Sequence, residues 1–195
     1  MFSTPRNRSR LALSCATSVF ACSFVIWMVL GTFCTRALAA DAAGPVHGLW
    51  VWKTPTVLAA PGAAEALRDF CGAQGINEVY VSFSGKGEAS EEGEVARLIA
   101  VLHRSHIRVE ALISSTEADE PGKYRDKLLD KVRAIIQFNE HERDRFDSIH
   151  LDIEPQQRPE NKGAGNLRFL PGLVDAYRAV LAAAEPAHLM VNADI

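Results

Sequence analysis

Cysteine is scarce where it would matter. Of the four cysteines, Cys15, Cys22 and Cys34 lie within the first 39 residues, which leaves only Cys71 beyond them. One thiol cannot close an internal disulfide, so a disulfide-stapled scaffold is excluded. At the apolar end of a predicted helix, Cys71 reads as a buried, inert thiol. Basic runs are also missing. Residues 1–39 hold four of the 21 basic residues and none of the 24 acidic ones, so the remainder carries 17 basic against 24 acidic side chains, a net of −7. A surface of that sign does not neutralise phosphates, which excludes nucleic acid as a partner. Proline (9) and glycine (13) are too few in 195 residues for a collagen-like or low-complexity chain. No Gly-rich loop follows the first predicted strand, where Thr54-Pro55-Thr56 stands instead. A Rossmann-type nucleotide site is therefore disfavoured, and nothing calls for a cofactor.

The N-terminal segment has the order of an export signal. Arg6, Arg8 and Arg10 precede 23 uncharged residues, Leu11 to Phe33, and Ala37-Leu38-Ala39 forms a small-residue cleavage site before Ala40. Residues 1–39 read as a secretory signal peptide, and 40–46 as a linker. The apolar run is also long enough to span a bilayer, so an uncleaved anchor is the alternative. Either way the domain that follows, 47–195, is expected outside the cytoplasm. A membrane is a partner only if the segment stays attached.

From His47 onward, strands and helices alternate. Strands are expected at 47–53, 76–83, 107–113, 146–153 and 188–195. The helices between them show apolar residues at 3.6-residue spacing: Val95, Leu98, Ile99 and Leu102; Leu128, Val132, Ile135 and Ile136; Leu170, Val174, Tyr177 and Leu181. This repeat predicts βαβ units and a parallel sheet. A fully buried parallel strand is continuously apolar, yet the fourth strand alternates. Ser148, His150, Asp152 and Glu154 fall on one face, and Ile149, Leu151 and Ile153 on the other. A (β/α)8 barrel accommodates this, with the polar face lining the lumen and rising to the C-terminal mouth. Five strands read as the N-terminal five-eighths of such a barrel; the alternative is a complete small open α/β domain.

The stretch Asp147-Ser148-Ile149-His150-Leu151-Asp152-Ile153-Glu154-Pro155 carries the chemistry. A Glu ending a barrel strand stands where this fold keeps its catalytic groups. Asp152, two residues earlier on the same face, should repel it, so that one carboxyl holds its proton at a higher pH. A protonated Glu154 then suits a general acid, tuned from below by Asp152 and His150. Glu110 and Asp194 point the same way as further supporting carboxylates. Trp50 and Trp52 share a strand face suited to stacking on a sugar ring or to filling the core, and Asn192 faces the same lumen. Asp152, Glu154 and His150 rise about 6–7 Å apart along one strand, too far to converge on a metal ion, and no metal is expected. The acidic loop of Glu117, Asp119 and Glu120 reads as solvated. Residues 156–166 read as a mobile loop over the site.

The motif resembles the strand-four signature of chitinase-type glycoside hydrolases, D-G-x-D-x-D-x-E, with Ser148 in place of the Gly and His150 in place of the middle Asp. That resemblance implies that Glu154 is the acid/base and that Asp152 orients the substrate's acetamido group. The Ser-x-Gly-Gly that the family carries after strand three is replaced by Ser114-Ser115-Thr116. Over most of 47–195 the chain is similar to exported bacterial barrel proteins described as glycoside-hydrolase-like. Its Glu-Pro end is also similar to a second glycosidase clan, with Ile153 at that clan's Asn position. The resemblance implies a carbohydrate substrate. A binding or structural barrel without turnover, its Asp152–Glu154 pair a solvated rim, is the competing expectation.

Overall fold

A computed structural model describes residues 45–86, 89–163 and 167–194. The expected signal or anchor segment lies outside them. Five parallel strands alternate with helices: β1 (Gly48–Val51), α1 (Thr54–Leu58), α2 (Ala63–Gln74), β2 (Glu78–Ser82), α3 (Ala89–His103), β3 (Arg108–Ser115), α4 (Lys123–His141), β4 (Ser148–Ile153), α5 (Leu170–Ala184) and β5 (Met190–Ala193). Among the described residues no helix is long and apolar enough to cross a membrane.

Strand order in the sheet is sequential, β1-β2-β3-β4-β5. A doubly wound sheet reverses its order at a switch point; this one does not. Right-handed crossovers in one direction place every helix on the same side. The core agrees: Val79, Val81, Val109, Ala111, Ile113, Ile149, Leu151 and Ile153 pack in one cluster with residues of α2, α3, α4 and α5. Cys71 lies in this cluster, fully buried.

The opposite face is polar and aromatic, and it is concave. The Trp50 and Tyr80 rings lie 4.6 Å apart, Tyr80 and His150 4.1 Å, and Trp50 and His150 6.3 Å. β1 and β4 are three strand spacings apart, about 14 Å in a flat sheet. Rings that close require the strands to curl around them. The fold is therefore a mixed α/β domain whose parallel sheet, with helices on its outer side, is compatible with part of an α/β barrel.

Helix α5 corrects the sequence reading. The spacing singles out Leu170, Val174, Tyr177 and Leu181, but Leu170, Val174 and Leu181 are exposed, and Ala176, Val180 and Ala184 face the core. The helix is apolar almost all round, so periodicity does not choose a side. Its small alanine face allows the closer approach to the sheet.

Asp147, the first residue of the motif, is a stitch at the N-terminal edge. Its Oδ2 accepts from the Val109 N–H at 2.7 Å and lies 3.0 Å from His103 Nε2, tying β3, β4 and the end of α3 together. The hydrogen bond to Asp147 raises the His103 pKa against the opposing effect of burial. Burial pushes the Asp147 carboxyl up, but the His103 and Val109 donors outweigh it and lower its pKa. A raised His contributes stability below its unfolded pKa and loses it as pH rises through the folded one. A lowered Asp loses its share as pH falls through its folded pKa. The pair is thus strongest from mildly acidic to neutral pH. His103→Gln is expected to cost about 0.5–1 kcal/mol at pH 6 and less at pH 9, read as the difference in urea midpoints between wild type and variant at each pH.

Candidate active site at the C-terminal ends of the strands

Alternation along β4 lifts its inward side chains in steps. Ser148 and His150 are buried in the concave face, Asp152 is only 7% exposed, and Glu154 is half-buried at the rim just past the strand. In the neighbouring strands Glu110 pairs with Ser148, Leu112 with His150 and Ser114 with Asp152. Ser114 and Asp152 therefore stand side by side near the mouth. The Glu154 N–H donates to Ser115 O at 2.9 Å. The Glu154 carboxylate accepts from Gln156 Nε2 at 3.4 Å and from Gln157 Nε2.

Beneath the rim lies a polar cluster in which one buried nitrogen, His150 Nε2, has no hydrogen bond. Glu110 is fully buried. Its Oε2 lies 3.0 Å from His150 Nδ1, and its Oε1 accepts from Asn192 Nδ2 at 2.6 Å and Arg108 Nη2 at 3.5 Å. The second ring nitrogen of His150 lies 3.1 Å from Asp194 Oδ2, an ion-pair contact without the alignment of a hydrogen bond. Burial disfavours the imidazolium, but the Glu110 and Asp194 carboxylates on its two sides outweigh that and raise its pKa. Burial likewise pushes the Glu110 carboxyl up, and the His150, Ser148 and Asn192 donors bring it below the ordinary value. His150 is held between two carboxylates and under the Tyr80 ring.

The Asp152 carboxyl is pushed above the ordinary Asp value. Burial is the first cause, followed by the Glu154 and Asp194 charges, with His150 opposing them. Among the described residues it makes no hydrogen bond. Strand alternation buries Asp152 beneath the mouth, and that burial is what raises its pKa.

Trp50 is 39% exposed, tilted against Tyr80 and edge-on to His150, while Trp52, just past β1, is 51% exposed. Neither fills the core, and Trp50 presents aromatic surface on the side of the sheet that carries Asp152. Asn192 is exposed, but its amide is spent on Glu110 and Ser148. Asp194 is exposed at the end of β5, its N–H donating to Leu151 O. The structure thus brings Glu110, His150 and Asn192 together below Asp152, with Asp194 over His150 at the level of Asp152. Among the described residues no group of acidic, His or Cys side chains is arranged to hold a metal ion.

Two loop expectations are corrected. Asp119 is not solvated: it is 6% exposed, and its Oδ2 accepts from Arg158 Nη2 at 2.7 Å. Arg158 also donates to Glu120. Nor are residues 156–163 a loose strap. Pro155–Gln157 and Pro159–Asn161 form 3-10 turns, and the buried Asn161 amide donates to Pro155 O at 2.9 Å. Arg158, between the turns, pins this loop to the one after β3. Arg125 extends the clamp, donating to Ala118 O, Asp119 O and Gly172 O. Gly172 is required there, since a Cβ would sit 2.2 Å from Asp119 O. Residues 164–166 lie outside the described residues. The sequence reading also misses Tyr80, although it falls on the inward set of β2.

In comparisons with known proteins, the chain matches no family model and no curated protein. The class defined by fold and site is a singly wound parallel α/β domain with an acidic, aromatic-flanked rim at the C-terminal ends of its strands.

Proposed function

We propose that this chain is an exported, glycoside-hydrolase-like protein whose five βα units belong to a (β/α)8 barrel and whose rim acts on a polysaccharide or oligosaccharide. The observation that carries this reading is the Asp152–Glu154 pair. A nearly buried carboxyl with a raised pKa lies one inward step below a half-buried carboxylate at the C-terminal end of a parallel strand. Such a pair shares a proton and supplies acid and base to one bond. Glu154 is the acid/base, Asp152 its partner and orienting group, and Trp50 and Trp52 the stacking surface for a sugar ring. No cofactor takes part.

A second reading is favoured by the two glutamine amides on Glu154, which suit a rim that binds sugar without cleaving it. The deciding experiment incubates the full chain with β-linked amino-sugar and neutral oligosaccharides and follows new reducing ends. Hydrolysis is the expected result. Saturable binding without any release of reducing ends would establish the second reading instead.

A further inference from the structure

Helix α4 carries a row of three lysines. Lys123, Lys127 and Lys131 follow one another at i, i+4 and i+8. Like charges at that spacing repel, and Asp126 and Asp130, at i+3 from Lys123 and Lys127, offset part of that repulsion. Among the described residues none of the three has a carboxylate within ion-pair distance. Asp130, the nearest acidic side chain in sequence to Lys131, is bound to Arg133 at 2.6 Å. Lys123 and Lys127 lie 6.0 and 5.8 Å from the half-exposed Tyr124 ring.

Two of these lysines line a cavity of about 230 Å³ with Ser114, Ser115, Glu117 and Tyr124. The cavity adjoins the rim, since Ser114 is the register partner of Asp152 and Ser115 O accepts the Glu154 N–H. Ser115 Oγ already accepts from the Glu117 and Ala118 N–H groups, which leaves its hydroxyl proton to donate. Glu117, the one carboxylate in the lining, pairs with neither lysine. Burial of its amine and the neighbouring Lys127 charge lower the Lys131 pKa.

We infer that the Lys127–Lys131 cavity is a subsite for an anionic group, a carboxylate, sulfate or phosphate, carried by the ligand that occupies the rim. The inference deepens the carbohydrate reading and rests on it: the favoured ligand is an acidic saccharide, whose charged substituent takes two ammonium groups and the serine hydroxyls while the ring lies towards Asp152 and Glu154.

The test is calorimetric titration of the full chain and of a Lys127→Gln/Lys131→Gln double variant with three probes: tri-galacturonate, cellotriose and inorganic phosphate. Both substitutions are on an exposed helix row, and circular dichroism confirms that the fold is kept. The expected result is that tri-galacturonate binds wild type at least about tenfold more tightly than cellotriose, and that the double variant and added salt remove the difference. Lysine-dependent binding of phosphate with no binding of either sugar would sustain the anion subsite and overturn the carbohydrate reading. Equal binding of the two sugars, or a preference for the acidic one that survives in the double variant, would overturn the subsite and leave the carbohydrate reading standing. The absence of lysine dependence for every probe would overturn the subsite, and the absence of any sugar binding would overturn the carbohydrate reading as well.

Discussion

If the proposed function holds, Glu154→Gln is expected to abolish turnover in a protein that still folds and still binds its sugar. Gln keeps the size of the side chain, and its one oxygen still accepts from one of the two glutamine amides while the other must turn its own oxygen towards the new NH2, but it delivers no proton. Loss of a general acid or base costs about 10²–10⁴-fold in rate. Because Glu154 lies past the end of β4 and outside the packed core, the thermal midpoint should move little. Asp152→Asn has a different signature. It fixes in the neutral state a carboxyl that already holds its proton to a higher pH than an ordinary Asp. The rate falls less than for Glu154→Gln, and the limb of the pH–rate profile set by Asp152 ionisation disappears. Initial rates of both variants across pH, with circular dichroism as the folding control, separate these outcomes. An unchanged rate in Glu154→Gln would remove Glu154 from the chemistry.

Glu110→Ala is the substitution expected to cost most stability. Glu110 has no exposed surface and serves Arg108, His150 and Asn192 at once. Truncation leaves a buried imidazole whose remaining charged partner, Asp194, is at the rim, while Arg108 keeps Glu78 at 3.6 Å and the Asn192 amide keeps only the long contact to Ser148. Removing one partner of a buried ionic cluster costs about 3–5 kcal/mol. The linkage has a definite sign. The contribution of Glu110, whose folded pKa is lowered, is present above its unfolded pKa and lost as pH falls through the folded one. The contribution of His150, whose folded pKa is raised, is present below its unfolded pKa and lost as pH rises through the folded one. The stability difference between wild type and Glu110→Ala is therefore greatest from mildly acidic to neutral pH. Urea unfolding of both proteins across pH checks it. A difference below about 1 kcal/mol, the scale of an exposed pair, would show that the cluster is not the dry network its geometry describes.

Much of the fold was legible because strand alternation is a local signal. The inward set Ser148, His150, Asp152 and the outward set Ile149, Leu151, Ile153 follow from a period of two, and the structure keeps both. Helix α4 was legible for the same reason, its Leu128, Val132 and Ile135 all buried. Helix α5 was not, because an almost uniformly apolar helix has no phase to read. The site was legible in part. Residues near one another in β4 could be placed on one face, and so could Glu110 and Asn192 by the pattern of their own strands. The contact of Asp119 with Arg158 could not, because it joins two loops 39 residues apart, and each loop taken alone looks like solvated polar chain. The location of the raised carboxyl was illegible for a related reason. Burial, the largest cause at Asp152, depends on what covers a side chain rather than on its sequence neighbours.

The Arg158 clamp has a consequence for how this rim can change over time. Because one guanidinium holds the loop after β3 to the loop after β4, neither loop is a free module. A substitution that removes Asp119 leaves Arg158 to Glu120 and Glu160 alone, and a replacement of Arg158 strands the largely buried Asp119 carboxylate. Loop exchange, whether by recombination or by design, should succeed only when both loops travel together. Inheritance at this mouth would then run in units of two adjacent βα segments, with Gly172 on α5 drawn into the same unit because its carbonyl is held by Arg125 and its missing side chain makes room for Asp119.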